Sequence, residues 1–168
     1  LLDRRHLSCN CIDGIWGPRT EIALLTWQAL NGLPTTGIPD ASVLDALAGG
    51  PPVLTLYTVT EADAANLGPV PADWEEKSKL PALRYETLQE MLAEKGHLSQ
   101  RALQGLNPEV AWPNPPAGTE IILPDCTAEK PPRAGSIRIS LTRTEIAVYT
   151  VDGTLAALFP CSIARDKS

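Results

Sequence analysis

From Pro18 onward, apolar residues recur at three- and four-residue steps, at Ala23, Leu24, Trp27 and Leu30, which places them on one face of a helix. Pro18 suits a first helical position because its φ is already helical and its missing N–H would have had no partner there. Gly17 before it is free to adopt backbone angles closed to other residues, and Gly32 supplies a left-handed stop. After Thr36-Gly37, Asp40 is placed to cap a short helix whose inner face carries Val43, Leu44 and Leu47. With Leu1 to Leu7 as a first helix, the pattern predicts a three-helix unit.

Further on, the period changes. Residues 53–59 alternate apolar and polar at several positions and are rich in strand formers. Between Arg84 and Gly96, the residues Leu88, Met91 and Leu92 share a helical face, with Gly96 as the stop. Ser99 is placed to cap a second helix carrying Ala102, Leu103 and Leu106, which Asn107-Pro108 ends. A turn at Pro116 to Thr119 leads into a strand over 120–123, so the order is strand, helix, helix, strand. In the tail, Ile137, Ile139 and Leu141 alternate with Arg138, Ser140 and Thr142, and Asp152-Gly153 between two apolar runs is a hairpin signal.

These elements predict an α+β, multi-domain chain. Pro51-Pro52 after Gly49-Gly50, and the stretch from Lys130 to Gly135, are the natural joints. They divide the 168 residues into a three-helix domain at 1–50, a βααβ domain at 51–130 with an insertion at about 60–83, and an antiparallel strand region at 131–168. Each piece is too small to bury a large core alone. The net charge of −6 argues against a nucleic-acid backbone as partner, and no run has the length of a membrane span. The chain starts without methionine or a signal-like apolar segment, as a processed or shortened chain would.

The chemistry-bearing residues are few. Four cysteines, Cys9, Cys11, Cys126 and Cys161, could pair in an exported protein; Cys9 and Cys11 are too close for an easy mutual bridge, so one of them is expected to pair with Cys126 or Cys161. His6 and His97 are the only histidines available as a base for a thiol nucleophile. His6, Cys9 and Cys11 lack a second spaced pair of metal ligands, so neither a metal nor a cofactor is expected.

The ordered set Asp13, Gly14, Gly17 and Thr20, then Trp27-Gln28, Gly32-Leu33 and Thr36-Gly37 resembles the peptidoglycan-binding domain of bacterial cell-wall enzymes. The resemblance implies that most of these residues serve the fold and that wall binding belongs to the surface the loop presents, with Asp13, Trp16 and Arg19 as candidates. The middle region, with Tyr57-Thr58-Val59, Tyr85-Glu86-Thr87-Leu88, Leu106-Asn107-Pro108 and Pro116-x-Gly118-Thr119, resembles a LysM domain. That implies a shallow groove for N-acetylglucosamine-containing glycans beside Thr87 and Asn107. The insertion carrying Trp74 either extends a sugar-stacking surface or covers the groove, and Trp74 and Trp112 either stack on pyranose rings or pack under their own loops.

Residues 136–163 resemble the opening strands of the L,D-transpeptidase catalytic domain at Val148-Tyr149, Asp152-Gly153 and Phe159-Pro160-x-Ser162. Cys161 and Ala164 depart from that pattern. The family's histidine and Ser-x-Gly-Cys-x-Arg motif would lie beyond Ser168, so no catalytic residue is expected within the chain. The resemblances together imply the peptidoglycan-binding or targeting region of an exported L,D-transpeptidase, located in the periplasm or cell envelope and contacting glycan or stem peptide. The alternatives are a protein-interaction module of the envelope and a thiol enzyme working through Cys161.

Overall fold

The computed structural model describes residues 1–128 and 130–163, which form a mixed helix-and-strand structure with two antiparallel sheets. Ala164 lies outside the described residues. The chain divides into two compact units. One comprises Leu1–Asn10, Ile15–Pro51 and the described residues from Cys126 on; the other comprises Cys11–Gly14 and Pro52–Asp125.

In the first unit, helix α1 (Pro18–Leu30) starts at the expected proline and α2 (Ala41–Leu47) at the expected cap, where the Asp40 carboxylate accepts from the Val43 N–H at 3.0 Å. The first helix expected over Leu1 to Leu7 is only a single 3-10 turn at Asp3–Arg5. His6 enters the left-handed region at φ 59° and ends it. Leu7 then bridges to Leu158, with Leu158 N–H donating to His6 O at 2.8 Å and Ser8 N–H to Leu158 O at 2.9 Å. A strand partner thus claims residues that a second helical turn would need. Arg5 holds the short turn in place by donating to the carbonyls of Leu1 and Leu47.

Strands β1 (Leu54–Thr58) and β2 (Glu120–Pro124) belong to the second unit; β3 (Ala134–Ser140), β4 (Glu145–Thr150) and β5 (Leu155–Pro160) form the sheet of the first, in the order β3-β4-β5. One face of that sheet supplies Ala147 and Leu158 to a core shared with Leu2, Leu7, Ala23, Leu24, Trp27, Val43 and Leu47. Two expected core residues are exposed. Leu30 lies in the last turn of α1, where Gln28 turns inward instead, and Leu44 sits one helical step away from the Val43–Leu47 face of the seven-residue α2. Gly135 sits at the irregular start of the β3–β4 pairing, and a Cβ there would lie 2.6 Å from the Val151 Cα.

In the second unit β1 and β2 pair antiparallel, Leu54 opposite Pro124 and Thr58 opposite Glu120. Between them come α3 (Glu61–Ala65) and α4 (Trp74–Ser78) in the inserted stretch, then α5 (Leu88–Lys95) and α6 (Gln100–Leu106). Val59, Leu88, Met91, Leu92, Leu103, Ile121 and Leu123 are buried together. The Ser99 hydroxyl caps α6 as expected, accepting from Ala102 N–H.

Two glycines act differently from expectation. Gly96 has φ −93°, and the left-handed residue is His97 at φ 53°. Gly96 lies close to β2: a Cβ there would come within 3.2 Å of Pro124 Cδ and 3.4 Å of Leu123 Cδ2, so a neighbour would have to give by a few tenths of an ångström. Gly17 is extended at φ −138°, a conformation open to any residue.

Candidate functional site

The motif over residues 13–37 separates into an internal frame and an outward surface. Trp27 is buried in the core, and Gln28 beside it is 1% exposed. A buried amide must find partners, and Gln28 finds two in the loop beyond α1. Its Nε2 donates to Thr36 Oγ1 at 3.1 Å and its Oε1 accepts from Gly37 N–H at 2.9 Å. Gly37 has φ 67°, and a Cβ there would press on Glu21 and Leu25 at 3.3 Å. The pairing of Trp27-Gln28 with Thr36-Gly37 therefore has a structural cause: one amide spans the two dipeptides and fixes the loop between α1 and α2.

Outward from this frame stand Trp16, 50% exposed, and Ile15, more exposed still. Arg19, in the first turn of α1, is partly buried. Its guanidinium donates to Arg143 O at 3.1 Å and to Thr144 Oγ1, tying the helix start to the β3–β4 turn. Asp13 is exposed and lies in the 11–14 segment, which belongs to the second unit, where Ile12 N–H donates to His97 O at 2.7 Å. Trp16 and Arg19 are therefore in one unit and Asp13 is in the other.

Arg19 also lines an open cleft of about 420 Å³ with Asn10, Pro160, Cys161 and Ser162, all in the first unit. Cys161 N–H donates to Thr144 O at 2.8 Å, so the turn that holds Arg19 also holds the backbone at Cys161. No histidine lines the cleft among the described residues. The expected cysteine pairing is not formed: no disulfide joins Cys9, Cys11, Cys126 or Cys161 among the described residues. Cys9 is turned inward, its Sγ facing Leu7 O at 4.0 Å, and burial pushes its thiol pKa up despite a hydrogen bond with Thr20. Asn10, Pro160 and Ser162 were not apparent as site residues, because no local spacing connects positions 10, 19 and 162.

In the second unit most candidates serve the structure. Asn107 is 6% exposed. Its Nδ2 donates to Leu103 O at 3.1 Å and Ile122 O at 2.9 Å, and its Oδ1 accepts from Ile122 N–H at 2.7 Å. That amide clamps α6 to β2 and presents nothing to a ligand. Thr87 caps α5, accepting from Glu90 N–H at 3.1 Å. Trp112 packs against the core, and its indole N–H donates to Asn107 O at 3.3 Å.

The two lips of the expected groove are tied together. Leu88 N–H donates to Asn114 Oδ1 at 2.9 Å and Gln89 N–H to Pro113 O at 3.0 Å, so the loop after α6 satisfies orphan donors at the start of α5. Trp74 alone of these candidates is open, 79% exposed, with Lys77 Nζ 4.6 Å from its ring. Elsewhere in the unit, the Tyr57 hydroxyl donates to both oxygens of Asp63, itself in a capping box with Thr60. Burial and the Asp63 carboxylate push the Tyr57 pKa up to about 12.

Residues 10–47 match the family model described as "Putative peptidoglycan binding domain". The match supports a peptidoglycan-binding domain there and spans the frame just described. No curated protein matches the chain. No helix among the described residues is long and apolar enough to cross a membrane.

Proposed function

We propose that the chain is a cell-wall-binding region of an exported envelope protein, with peptidoglycan as its ligand. The observation that carries this is the family match over 10–47, in a segment whose motif residues fold into a frame and leave Trp16 exposed and Arg19 at a cleft. The indole face would pack on a sugar ring or peptide, and the guanidinium would meet the acidic groups of the wall. Sedimentation with purified insoluble peptidoglycan tests it: the chain is expected in the pellet at low salt, and a chain that stays in the supernatant overturns the proposal.

Two finer assignments extend the reading. Residues 51–130 form a divergent LysM-like domain; the βααβ order and the antiparallel β1–β2 pair support this, while the tied lips and the consumed Asn107 amide make its role structural. Residues 131–168 open an L,D-transpeptidase catalytic domain, supported by the antiparallel β3-β4-β5 order and the Asp152-Gly153 turn. A reading frame encoding a histidine and Ser-x-Gly-Cys-x-Arg beyond Ser168 would uphold that parentage, and a stop codon there would reject it. The second reading, an envelope interaction module, draws on the bare face of the β3-β4-β5 sheet, where Ile137 and Ile139 are each 62% exposed.

A further inference from the structure

We infer that the cleft between Asn10, Arg19 and Ser162 is a subsite for the free carboxylate of a short peptide. The choice of peptide, a peptidoglycan stem peptide, rests on the wall-binding reading above; the preference for a carboxylate stands on the cleft alone.

The first ground is charge. Arg19 is partly buried, and no carboxylate pairs with it among the described residues. Its two hydrogen bonds go to neutral oxygens of Arg143 and Thr144. A guanidinium carries five N–H donors in a fixed fork, so donors remain for a ligand, and a carboxylate is the group that matches the fork. Within a chain of net charge −6, this cleft has a cation in its wall and no acidic residue among its described lining.

The second ground is the lining. Asn10 and Ser162 bring an amide and a hydroxyl, both able to donate to a second carboxylate oxygen or to a peptide carbonyl. At about 420 Å³ the cleft has the size of small-ligand sites and admits one or two amino-acid residues. The third ground is that part of its wall, the Arg19 guanidinium and the backbone at Asn10 and Cys161, is held before any ligand arrives. Arg143 O and Thr144 Oγ1 fix the guanidinium, and Thr144 O fixes Cys161. Asn10 sits in the left-handed region at φ 77°, its N–H donating to Ser8 Oγ at 3.2 Å. Groups ordered in advance lose less entropy on binding.

The test is an NMR titration of the isotope-labelled chain with a soluble stem tetrapeptide, the same peptide with its carboxylates amidated, a peptide-free glycan oligomer and inorganic phosphate. The free-acid peptide is expected to shift the Asn10, Arg19 and Ser162 signals, and amidation to weaken it at least tenfold. Arg19→Gln and Asn10→Asp should each weaken the free-acid peptide by about tenfold, the loss of a charge-assisted pair. Asn10→Asp keeps a residue tolerant of positive φ, so it remains informative if Arg19→Gln loosens the turn. Equal affinity for the amidated peptide, equal affinity for phosphate, or cleft shifts with the peptide-free glycan would each overturn the inference. Pelleting with peptidoglycan while the cleft stays silent to the tetrapeptide refutes the subsite and spares wall binding; tetrapeptide binding without pelleting does the reverse.

Discussion

Gln28 and Asn107 are buried amides doing the same task in the two units, yet the surfaces around them differ. Gln28 holds a loop, and the residues between the motif positions, Trp16 and Arg19, stand at the surface and at a cleft. Asn107 holds α6 to β2, and its neighbours Thr87, Trp112 and Asn114 are consumed in closing the same corner. A motif residue that is hydrogen-bonded on every polar atom builds the fold; a ligand surface consists of what the framework leaves unspent. By that measure the first unit carries a candidate binding surface, and of the candidates in the second only Trp74 and Asp13 stay exposed.

The largest effect expected is from Asn107→Ala, which takes away the partners of Ile122 N–H and Ile122 O, leaves Leu103 O only the residue 107 backbone N–H, and opens a small void. It should cost about 3 kcal/mol of unfolding free energy by urea titration. A cost under about 1 kcal/mol would mean that Asn107 is spared for a ligand after all. Gln28→Ala strands Gly37 N–H and should cost about 2 kcal/mol, with weaker amide protection through residues 33–38 in hydrogen exchange. Gly96→Ala forces a Cβ against Pro124 and should cost about 1 kcal/mol despite the better helix propensity of alanine. A stabilised variant would show that the close approach to Pro124 does not constrain this position.

A smaller effect comes from pH. The Tyr57 pKa is raised to about 12 from an ordinary value near 10, so its hydrogen bond to Asp63 is fully present below pH 10 and is lost as pH rises through 12. Ultraviolet titration should show one tyrosine ionising near pH 12 in the parent chain, and a lower value for it in Asp63→Asn. An unchanged curve in that variant would remove Asp63 as a cause.

Local chemistry was legible in the sequence. Pro18, Asp40, Ser99 and Asp152-Gly153 each act within a few residues, and each marks the element expected of it. What escaped was long-range. Leu7 leaves the helical path because Leu158, far along the chain, offers a strand partner. Gly96 is small on account of Pro124, and the Arg19 cleft needs residues from 10 and 160–162 that share no periodic signal. The cysteine pairing failed for the same reason: parity of number says nothing about where a thiol such as Cys9 faces.

Co-sedimentation with insoluble peptidoglycan, run on the parent chain, Trp16→Ala and Trp74→Ala with unfolding midpoints measured alongside, tests most directly whether the first unit is the binding surface. The parent and Trp74→Ala should pellet alike, and Trp16→Ala should pellet severalfold less at an unchanged midpoint. A parent chain left in the supernatant, or a loss confined to Trp74→Ala, would contradict it.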